Sequence, residues 1–426
     1  MNAPSVAIVG SGPSACYLAQ ALRKHWADAQ IMLIERLPAP FGLVRYGVAP
    51  DHQGTKAVCR QFERLFEREG VAFLGNLEIG RDLSLEQLRE AFDLVVLATG
   101  LYGDRRLGIP GDELPGVYGS GRVTRLFNGH PDEQGFAPAF GRRVAIVGNG
   151  NVAIDVLRLL AKSAEDFAGS DIAEAPLQAL LAEGVERIDI LGRSPAAQAR
   201  FDPVMLRELG KLAGVRIRIE DLPPADAPCA DATEQARLDV LRALAAQEQP
   251  AAGRELVFHF GWTPQAIHGA ASVEALELRH VDGRELRLEV DSLVSAIGFE
   301  EAADGLLQRD ALLGASADLE RGRLDHGLYC VGWLRRGPRG TIPENRQDAR
   351  LVAEAMVADQ QAAPRSGRPG LAALPAGLRE RGVGYSQWQR IDHAETQAAA
   401  PGRVRRKITD RAGMLAIARS PQENPA

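Results

Sequence analysis

One pattern of seventeen residues occurs twice in this chain, with variations. It reads VAIVGSGPSACYLAQAL from Val6 and VAIVGNGNVAIDVLRLL from Val144. Each copy is typical of an apolar strand that ends in a glycine-rich turn and opens a helix, which is the context that a dinucleotide-binding motif requires. A single copy would be a weak signal, but two copies in this context predict two dinucleotide sites.

The residues of each turn have separate tasks in such a motif. The first glycine, Gly10 or Gly148, permits the tight turn, and the second, Gly12 or Gly150, lets the backbone approach a pyrophosphate. A small third residue, Ala15 in the first copy, allows the helix to pack closely on the strand. The helix N-terminus then presents free N–H groups and the positive end of its dipole to the phosphates.

The strand after each motif ends differently, and the difference separates the two cofactors. In the first copy the carboxylate of Glu35 can accept hydrogen bonds from ribose hydroxyls and would repel a 2′-phosphate, which suits FAD. In the second copy ILGR aligns with LIER, so Gly192 replaces the acid, and Arg193 and Ser194 follow it. An arginine there suits the 2′-phosphate of NADP, since a charge-assisted bond of roughly 1.5–3 kcal/mol favours NADP over NAD by about ten- to a hundredfold.

Strands alternate with helices through most of the chain, which predicts an α/β fold with parallel, doubly wound sheets. We expect two Rossmann-like dinucleotide-binding domains, with the NADP domain inserted into the FAD domain. The expected boundaries assign residues 1–103 and 325–426 to the FAD domain and residues 104–324 to the NADP domain. The stretch from about 365 to 405 is rich in Ala, Pro, Gly and Arg, and we expect it to be a tail on the surface of the FAD domain.

Composition limits the class of protein. A net charge of -6 gives no global electrostatic case for nucleic acid, and no apolar run reaches the roughly 18 residues of a membrane span. The first strand starts at about Ser5, which leaves no room for a signal peptide, so we expect a cytoplasmic protein. Separately, we expect the protein to be a monomer. Cys16, Cys59, Cys229 and Cys330 are scattered and form no C-x-x-C, which argues against a metal site and a redox-active disulfide.

One flavin site and one nicotinamide site imply hydride transfer from NADPH to the flavin, which can then pass electrons singly to a partner. Two other classes stay open. A FAD- and NADPH-dependent monooxygenase also carries two such motifs, although nothing in the sequence marks an oxygen-stabilising pocket. A non-catalytic flavoprotein that senses dinucleotides is the third class, and it predicts negligible electron transfer.

Seven stretches resemble those of the adrenodoxin-reductase-type ferredoxin–NADP⁺ reductases, and together they cover nearly the whole chain. They are FGLVRYGVAPDH, GNGNVAIDVLRLL, LGRSP, SAIGF, GWLRRGPRGTIPEN, WQRIDHAE and GRVRRKI. The resemblance implies an FAD-containing, bacterial-type enzyme that uses NADPH. It also implies a small ferredoxin-type iron–sulfur protein, or a flavodoxin, as the partner.

The same resemblance implies which residues hold each cofactor. Those at the adenine–ribose end of FAD are Ala15, Glu35, Leu43 and Ile79, and those near the flavin ring are Trp333, Gly340, Thr341 and Ile342. Those at the NADP pyrophosphate are Asn149, Gly150, Asn151 and Val152, with Arg193 at the 2′-phosphate. His52 and Asp155 match polar positions close to the flavin or the nicotinamide, and they are the candidate catalytic residues.

Two departures from the family pattern concern the nicotinamide coenzyme. The family usually has two arginines where this chain has Arg193 and Ser194, so one charge is lost and the use of NADH becomes plausible. The family also carries a glutamate near the nicotinamide, and that position falls on Met205. A thioether cannot replace a carboxylate acceptor, so the placement of the nicotinamide is open to change.

An acidic iron–sulfur partner requires a local basic patch on this acidic protein, because opposite charges steer such docking. The candidate patch belongs to the NADP domain. Its predicted members are Arg207, Lys211, Arg237 and Arg242, with Arg216 and Arg218 on a nearby strand.

Overall fold

The computed structural model describes residues 3–420, and these form two compact units. The first unit comprises the chain up to Gly103, the short segment Asn128–Asp132 and the chain from Phe299 onward. The second unit comprises Asp104–Phe127 and Glu133–Gly298, so it interrupts the first.

The return to the first unit therefore occurs at Phe299, earlier than the expected boundary at residue 325. The reason is packing: Leu307, Leu312 and Leu319 lie against a core cluster of the first unit, and Leu324 is fully buried in it. A segment whose apolar side chains are buried in one core belongs to that unit, although its sequence carries no sharp boundary signal.

The first unit is built on a six-stranded sheet. Its strands, in spatial order, are Arg323–Asp325, Leu328–Cys330, Leu94–Leu97, Ser5–Val9, Gln30–Ile34 and Ala72–Leu74. All neighbours are parallel except the first pair, which is antiparallel. Along Ser5–Val9, Val6 and Ile8 enter one core cluster while Ala7 and Val9 enter another, so both faces of the sheet are covered.

Helices of the first unit cover these two faces. They are Pro13–His25, Gly42–Tyr46, Gln53–Lys56, Cys59–Glu67, Leu85–Ala91, Trp333–Arg336, Ile342–Ala362, Ala376–Arg381, Tyr385–Gln397 and Arg411–Arg419. Two short 3₁₀ helices, Asp310–Leu312 and Gly370–Ala373, join them. Strands that are buried on both faces explain why the sequence shows near-continuous apolar runs here rather than an alternation.

The C-terminal stretch is not a tail on the surface, as the sequence suggested. Its last two helices bury Trp388, Ile391 and Met414 in the core of the first unit. The Ala- and Arg-rich composition concealed this, because the few apolar side chains are spaced at helical intervals among many polar ones.

A buried ion pair ties this C-terminal stretch to the segment that follows the second strand. Nη2 of Arg45 donates to Oε1 of Glu395 at 2.6 Å, and both side chains are buried. The N–H of Ile408 donates to the same carboxylate oxygen at 3.0 Å. Glu395 therefore joins the C-terminal stretch to Arg45, 350 residues earlier in the chain.

The second unit contains a six-stranded sheet in which every neighbouring pair is parallel. Its strands, in spatial order, are Val117–Gly119, Ser292–Ser295, Arg143–Val147, Arg187–Gly192, Arg254–Phe260 and Val215–Glu220. Its helices are Ser120–Phe127, Asn151–Ala161, Glu174–Glu183, Pro203–Leu209 and Ala232–Ala245, with 3₁₀ turns at Glu165–Phe167 and Ala196–Gln198. The two parallel, doubly wound sheets confirm the predicted α/β class.

A separate antiparallel sheet of three strands completes the second unit. Its strands are Trp262–His268, Ala275–His280 and Glu285–Glu289. The last two are joined by an Asp-Gly turn, in which Gly283 has a φ of 93°. A positive φ at that position favours glycine, which explains the turn signal in the sequence.

Between residues 3 and 420, no helix is long and apolar enough to cross a membrane. Over the same residues, no group of three or more His, Cys, Asp or Glu side chains is placed to hold a metal ion.

We expect Glu395→Ala to lower the free energy of unfolding by about 3–5 kcal/mol, because it leaves the Arg45 guanidinium buried without its partner. Chemical denaturation measures the loss. Glu354→Ala is the matched control, since its pair with Arg350 is exposed and the change should stay within about 0.5 kcal/mol. A loss below about 1 kcal/mol for Glu395→Ala would show that this pair does not anchor the C-terminal stretch.

Candidate dinucleotide-binding sites

The two glycine turns have the same geometry. Gly10 has a φ of 108°, and a Cβ there would lie 2.4 Å from the carbonyl oxygen of Ala98. Gly148 has a φ of 130°, and its Cβ would lie 2.3 Å from the carbonyl oxygen of Ala296. In each unit the turn is pressed against the end of the neighbouring strand, so that only glycine fits.

The second glycine of each turn is the N-cap of a helix and faces open space. A Cβ at Gly12 or Gly150 would meet nothing within 4 Å, and neither helix has a side-chain cap. The N–H groups of the first helical turn are therefore available to a ligand. Backbone donors at a helix N-terminus with room in front of them suit a pyrophosphate.

The strand registers place Glu35 and Gly192 at equivalent positions. Val9 pairs with Ile34 in the first unit, and Val147 pairs with Leu191 in the second, so the next residue along each strand is Glu35 or Gly192. The N–H of Ser11 donates to Oε2 of Glu35 at 3.2 Å, and the hydroxyl of Ser11 donates to it at 2.7 Å. The carboxylate is thus held at the edge of the first glycine turn.

In the second unit an amide takes the space that the carboxylate fills in the first. Asn149 is the counterpart of Ser11, and its side chain lies over Gly192: a Cβ at Gly192 would be 2.2 Å from Nδ2 of Asn149. That Nδ2 is itself buried and has no hydrogen-bond partner in the described structure. The Ser–Glu and Asn–Gly combinations are therefore alternatives at one position, and the second leaves a buried donor that a ligand can satisfy.

Arg193 follows Gly192 at the end of the strand and is exposed. Its side chain forms no hydrogen bond or ion pair with any residue that the structure describes. Ser194 is half-buried, and its carbonyl oxygen accepts a hydrogen bond from the N–H of Gly261 at 3.1 Å. The predicted 2′-phosphate ligand is thus a free cation at the sugar end of the motif.

The loop after Arg193 returns to the glycine turn, which sequence reasoning missed. The N–H of Arg200 donates to the carbonyl oxygen of Asn149 at 3.1 Å, and Arg200 forms a parallel β-bridge with Gly150. The N–H of Asp202 then donates to Oδ1 of Asn151 at 2.7 Å. No local pattern in the sequence signals this return, because it depends on pairing between segments about fifty residues apart.

The first unit has a second helix end next to its glycine turn. The hydroxyl of Ser14, in the first turn of Pro13–His25, donates to Oδ1 of Asn345 at 3.0 Å, in the first turn of Ile342–Ala362. Gly332, with a φ of 75°, lies close by, since its Cβ would be 2.1 Å from the Ser14 hydroxyl. Two positive helix ends therefore lie together in one unit, which favours anionic or electron-rich groups there.

The residues predicted for the flavin ring lie at this second helix end. Gly340 and Thr341 are exposed, and Ile342 begins the helix. The N–H of Thr341 donates to Oε2 of Glu344 at 2.8 Å, and hydrogen bonds from the Thr341 hydroxyl and N–H hold the pKa of Glu344 below its ordinary value. The Thr341 N–H is therefore engaged within the chain.

Trp333 has an aromatic neighbour and an unsatisfied donor. Its ring stacks on Phe299 with centroids 5.4 Å apart, and its Nε1 is buried without a hydrogen-bond partner within the described chain. Close to it, burial lowers the pKa of Arg336, whose Nη2 donates to Oδ1 of Asn345 at 2.7 Å. A buried, unpartnered indole N–H is costly unless something else accepts from it.

The residues predicted for the adenine–ribose end of FAD differ in exposure. Ala15 is fully buried in the first helix, Ile79 is buried in the core, and Leu43 is exposed. Beside Leu43, Phe41 holds a positive φ of 80° with its ring buried. Such a conformation costs about 1–3 kcal/mol for a non-glycine residue and persists where the surroundings enforce it.

The two candidate catalytic residues belong to different units. His52 is the half-buried N-cap residue of the short helix Gln53–Lys56 in the first unit. Asp155 lies on the helix of the second glycine motif, and its Oδ1 accepts a hydrogen bond from the buried Arg158 at 2.9 Å. The catalytic roles of both residues stay predictions.

The predicted basic patch divides into two groups. Arg207 and Lys211 are exposed, although the helix Pro203–Leu209 ends before Lys211 and does not continue through it. Arg237 instead donates to the carbonyl oxygens of Ala197 and Phe201, at 3.1 and 3.4 Å.

Two further predicted members are also engaged inside the second unit. Arg242 donates to the carbonyl oxygen of Pro224 at 2.8 Å, and Arg218 is paired with Glu220 and Glu255. Arginines that satisfy backbone carbonyls or carboxylates are structural, which leaves Arg207 and Lys211 as the exposed, unpaired members among the described residues. Arg216 is half-buried, and its Nε is buried without a hydrogen-bond partner in the described structure.

Comparison with known proteins matches this arrangement over the whole chain. A model of the pyridine nucleotide-disulphide oxidoreductases matches residues 4–225. Cindoxin reductase from Citrobacter braakii is 45% identical over 423 residues, which span 98% of this chain and 92% of that protein. NADPH:adrenodoxin oxidoreductase from Mus musculus is 34% identical over 97% of this chain and 91% of its own length.

The chain belongs to the adrenodoxin-reductase group of the pyridine nucleotide-disulphide oxidoreductases. A solved structure of FprA from Mycobacterium tuberculosis in complex with NADPH superimposes with a TM-score of 0.88 at 32% identity, covering 98% of this chain and 100% of that one. The resemblance that the sequence motifs suggested is confirmed, and the protein is an oxidoreductase with the two-domain fold of this group.

Within this oxidoreductase Cys16 and Cys330 are buried, and Cys59, Cys229 and Met205 are half-buried. All four cysteines are free, and burial raises the pKa of Cys59 and of Cys330 to about 12. A buried thiol stays protonated near neutral pH and is a poor nucleophile. Met205 is partly buried and packs against the core of the second unit.

We expect Gly192→Glu to destabilise the second unit of this oxidoreductase by about 1–3 kcal/mol, because the new side chain meets Asn149. Combining it with Asn149→Ser recreates the pair that Ser11 and Glu35 form in the first unit, and at least half of the lost stability should return. Thermal unfolding of both variants, with Asn149→Ser alone as control, measures the coupling. An equal loss from Gly192→Glu in both backgrounds would contradict the proposed exchange.

Proposed function

We propose that this protein is an FAD-containing reductase that moves electrons between NADPH and a small ferredoxin-type iron–sulfur protein. The observation that carries the proposal is a pair of equivalent glycine turns whose neighbouring strands end in residues of opposite charge, Glu35 in one unit and Arg193 in the other. We call this strand end, where ribose is bound in such folds, the sugar corner of each motif. Relatives that match over nearly the full chain support it, since their names state NADPH and adrenodoxin or ferredoxin reduction.

FAD fits the first unit. The open space at Gly12 admits a pyrophosphate, and the carboxylate of Glu35 lies at the strand end where ribose hydroxyls are bound in such folds. The unpartnered Nε1 of Trp333 and the second helix end at Ile342 supply donors for a polar ring. These residues, with Ala15, Leu43, Ile79, Gly340 and Thr341, are the proposed FAD ligands.

NADPH fits the second unit. The open helix end at Gly150 and the buried, unpartnered Nδ2 of Asn149 suit a pyrophosphate, and Asn151 and Val152 follow them on the first helical turn. Arg193 is a free guanidinium at the sugar corner. Gly192 carries no carboxylate there, so a 2′-phosphate meets no like charge.

The protein's part in the reaction is to hold and orient two cofactors. The chemistry that FAD supplies when bound is the acceptance of an electron pair from NADPH and its release one electron at a time. The helix ends at Gly12 and Ile342 stabilise negative charge in the first unit. His52 and Asp155 are proposed to lie close to the reacting rings, where a polar side chain orients its neighbour.

The proposed acceptor rests on kinship, since relatives that match over nearly the full chain are named for adrenodoxin or ferredoxin reduction, and it is tested directly with a [2Fe–2S] ferredoxin. A flavodoxin as a second acceptor, the ferredoxin–NADP⁺ reductase class and a monomeric protein stay predictions. Arg207 and Lys211 are the proposed docking cations, because they are exposed and carry no ion pair within the described residues.

We expect the FAD-loaded protein to reduce a [2Fe–2S] ferredoxin faster with NADPH than with NADH. Arg193→Ala should lower kcat/KM for NADPH by about ten- to a hundredfold and leave that for NADH unchanged, since it removes a charge-assisted bond to the 2′-phosphate. Steady-state ferredoxin reduction measures both, and Arg279→Ala, an exposed arginine on the three-stranded sheet, is the control.

Each alternative gives a different result in that assay. A monooxygenase would consume NADPH and oxygen with formation of an oxygenated organic product and little ferredoxin reduction. A dinucleotide sensor would bind both cofactors and reduce neither ferredoxin nor ferricyanide. Either outcome would overturn the proposed reductase.

We expect the double variant Arg207→Glu, Lys211→Glu to lower kcat/KM for an acidic ferredoxin by about tenfold at low salt, because it reverses the charge that steers docking. The rate with ferricyanide, a small acceptor that needs no docking surface, should not change. Lys24→Glu, Arg68→Glu has the same charge change on exposed sites of the first unit and serves as control. Equal ferredoxin kinetics in the two double variants would exclude this docking surface.

A further inference from the structure

We infer that Arg200 is a second cation for the dinucleotide of the second unit and that it binds the pyrophosphate rather than the 2′-phosphate. This inference rests on the proposed function, because it requires a dinucleotide at the second glycine turn. It names a ligand-binding residue beyond those that the sequence motifs single out.

The path of the chain places Arg200 next to the phosphate-binding turn. The loop leaves the sheet at Gly192 and returns so that the N–H of Arg200 donates to the carbonyl oxygen of Asn149 at 3.1 Å. Arg200 and Gly150 form a parallel bridge, in which the two strands lie about 4.8 Å apart. Gly150 is the N-cap of the helix, so Arg200 lies beside the helix end itself.

The backbone around Arg200 is held firmly. The N–H of Asp202 donates to Oδ1 of Asn151 at 2.7 Å, on the C-terminal side of Arg200. The guanidinium of Arg237 donates to the carbonyl oxygens of Ala197 and Phe201, which bracket Arg200. The position of residue 200 relative to the glycine turn is therefore set by four hydrogen bonds in this segment, counting the one to Asn149.

Burial alternates along this extended segment and shows which way the side chain faces. Ala199 and Phe201 are each 1% exposed and pack in the core of the second unit, whereas Arg200 between them is exposed. Neighbouring side chains of an extended backbone point to opposite sides. The guanidinium of Arg200 therefore points away from the core, on the open side of the bridge with Gly150.

Arg200 also lacks any internal use that would explain its charge. Within residues 3–420 its guanidinium has no ion pair and no hydrogen bond, in contrast to Arg158, Arg187 and Arg218 of the same unit, which are paired with carboxylates. Nearby, the buried Nδ2 of Asn149 is unpartnered as well. An unpaired guanidinium therefore belongs to the residue that is bridged to an uncapped helix end, which suits a diphosphate.

Position separates Arg200 from Arg193. Arg193 directly follows the strand end that is equivalent to Glu35, which is the sugar corner of the motif. Arg200 is paired with Gly150, at the phosphate end. Arg200 thereby supplies one positive charge in a site where Ser194 has replaced a second arginine, but it supplies that charge to a group that NAD and NADP share.

The test measures the affinity of the oxidised, FAD-loaded protein for NADP⁺, NAD⁺ and 2′-AMP by calorimetry. Any of these ligands that binds too weakly for direct titration is measured by its competition with NADP⁺. Arg200→Ala should weaken NADP⁺ and NAD⁺ by the same factor, about tenfold, and leave 2′-AMP unchanged, because 2′-AMP has no pyrophosphate. Arg193→Ala should weaken NADP⁺ and 2′-AMP and spare NAD⁺. Arg200→Lys should retain most of the affinity, and Arg279→Ala should behave as the unmodified protein.

Four outcomes overturn the inference. Unchanged affinities for Arg200→Ala would show that Arg200 does not touch the ligand, and a loss confined to NADP⁺ and 2′-AMP would assign it to the 2′-phosphate instead. Thermal unfolding of Arg200→Ala should match the unmodified protein, since the side chain forms no hydrogen bond or ion pair with the described residues. A fall in the melting temperature would point to a structural role. If the unmodified protein bound none of the three ligands, the proposed function would fail with it.

Discussion

The close approach of each glycine turn to the end of the neighbouring strand is the constraint on which both units depend. At Gly10 and Gly148 a single added carbon would lie within 2.4 Å of a carbonyl oxygen. Because the strand must end there and the helix must start two residues later, strand end, helix N-terminus and sugar corner are brought to one place. Everything that distinguishes the two sites is a variation on this shared frame.

The variation is a correlated exchange of two side chains. Ser11 is small and donates to Glu35, so a carboxylate is retained at the first sugar corner. Asn149 is larger and lies over Gly192, so no side chain fits at residue 192. The charge at the second sugar corner is therefore set by the next residue, Arg193. A change of cofactor therefore needs both positions, since a carboxylate at residue 192 would meet Asn149 and an asparagine at residue 11 would compete for the space of Glu35.

Much of the fold and part of the site could be predicted from the sequence, where short-range patterns carry the information. The apolar strands and the glycine turns are local, and the structure has them as expected. The boundary at Phe299 and the inward packing of Trp388 were not predictable, because composition does not report which core receives an apolar side chain. The role of Arg237 was not predictable either. The sequence suggests a surface cation, but its guanidinium donates to two backbone carbonyls about forty residues away in the chain.

By itself, the sequence determined that this protein has two strand–turn–helix units and that their sugar corners differ in charge. Those properties follow from the sterics of a tight turn and from the identity of the residue at a strand end, which neighbours along the chain decide. Only the tertiary structure decided that Arg45 forms an ion pair with Glu395, 350 positions away, and that Arg200 pairs with Gly150. It also showed that the N–H of Thr341 donates to Glu344. Such contacts depend on where distant segments lie after the core has packed, and no local periodicity encodes that placement.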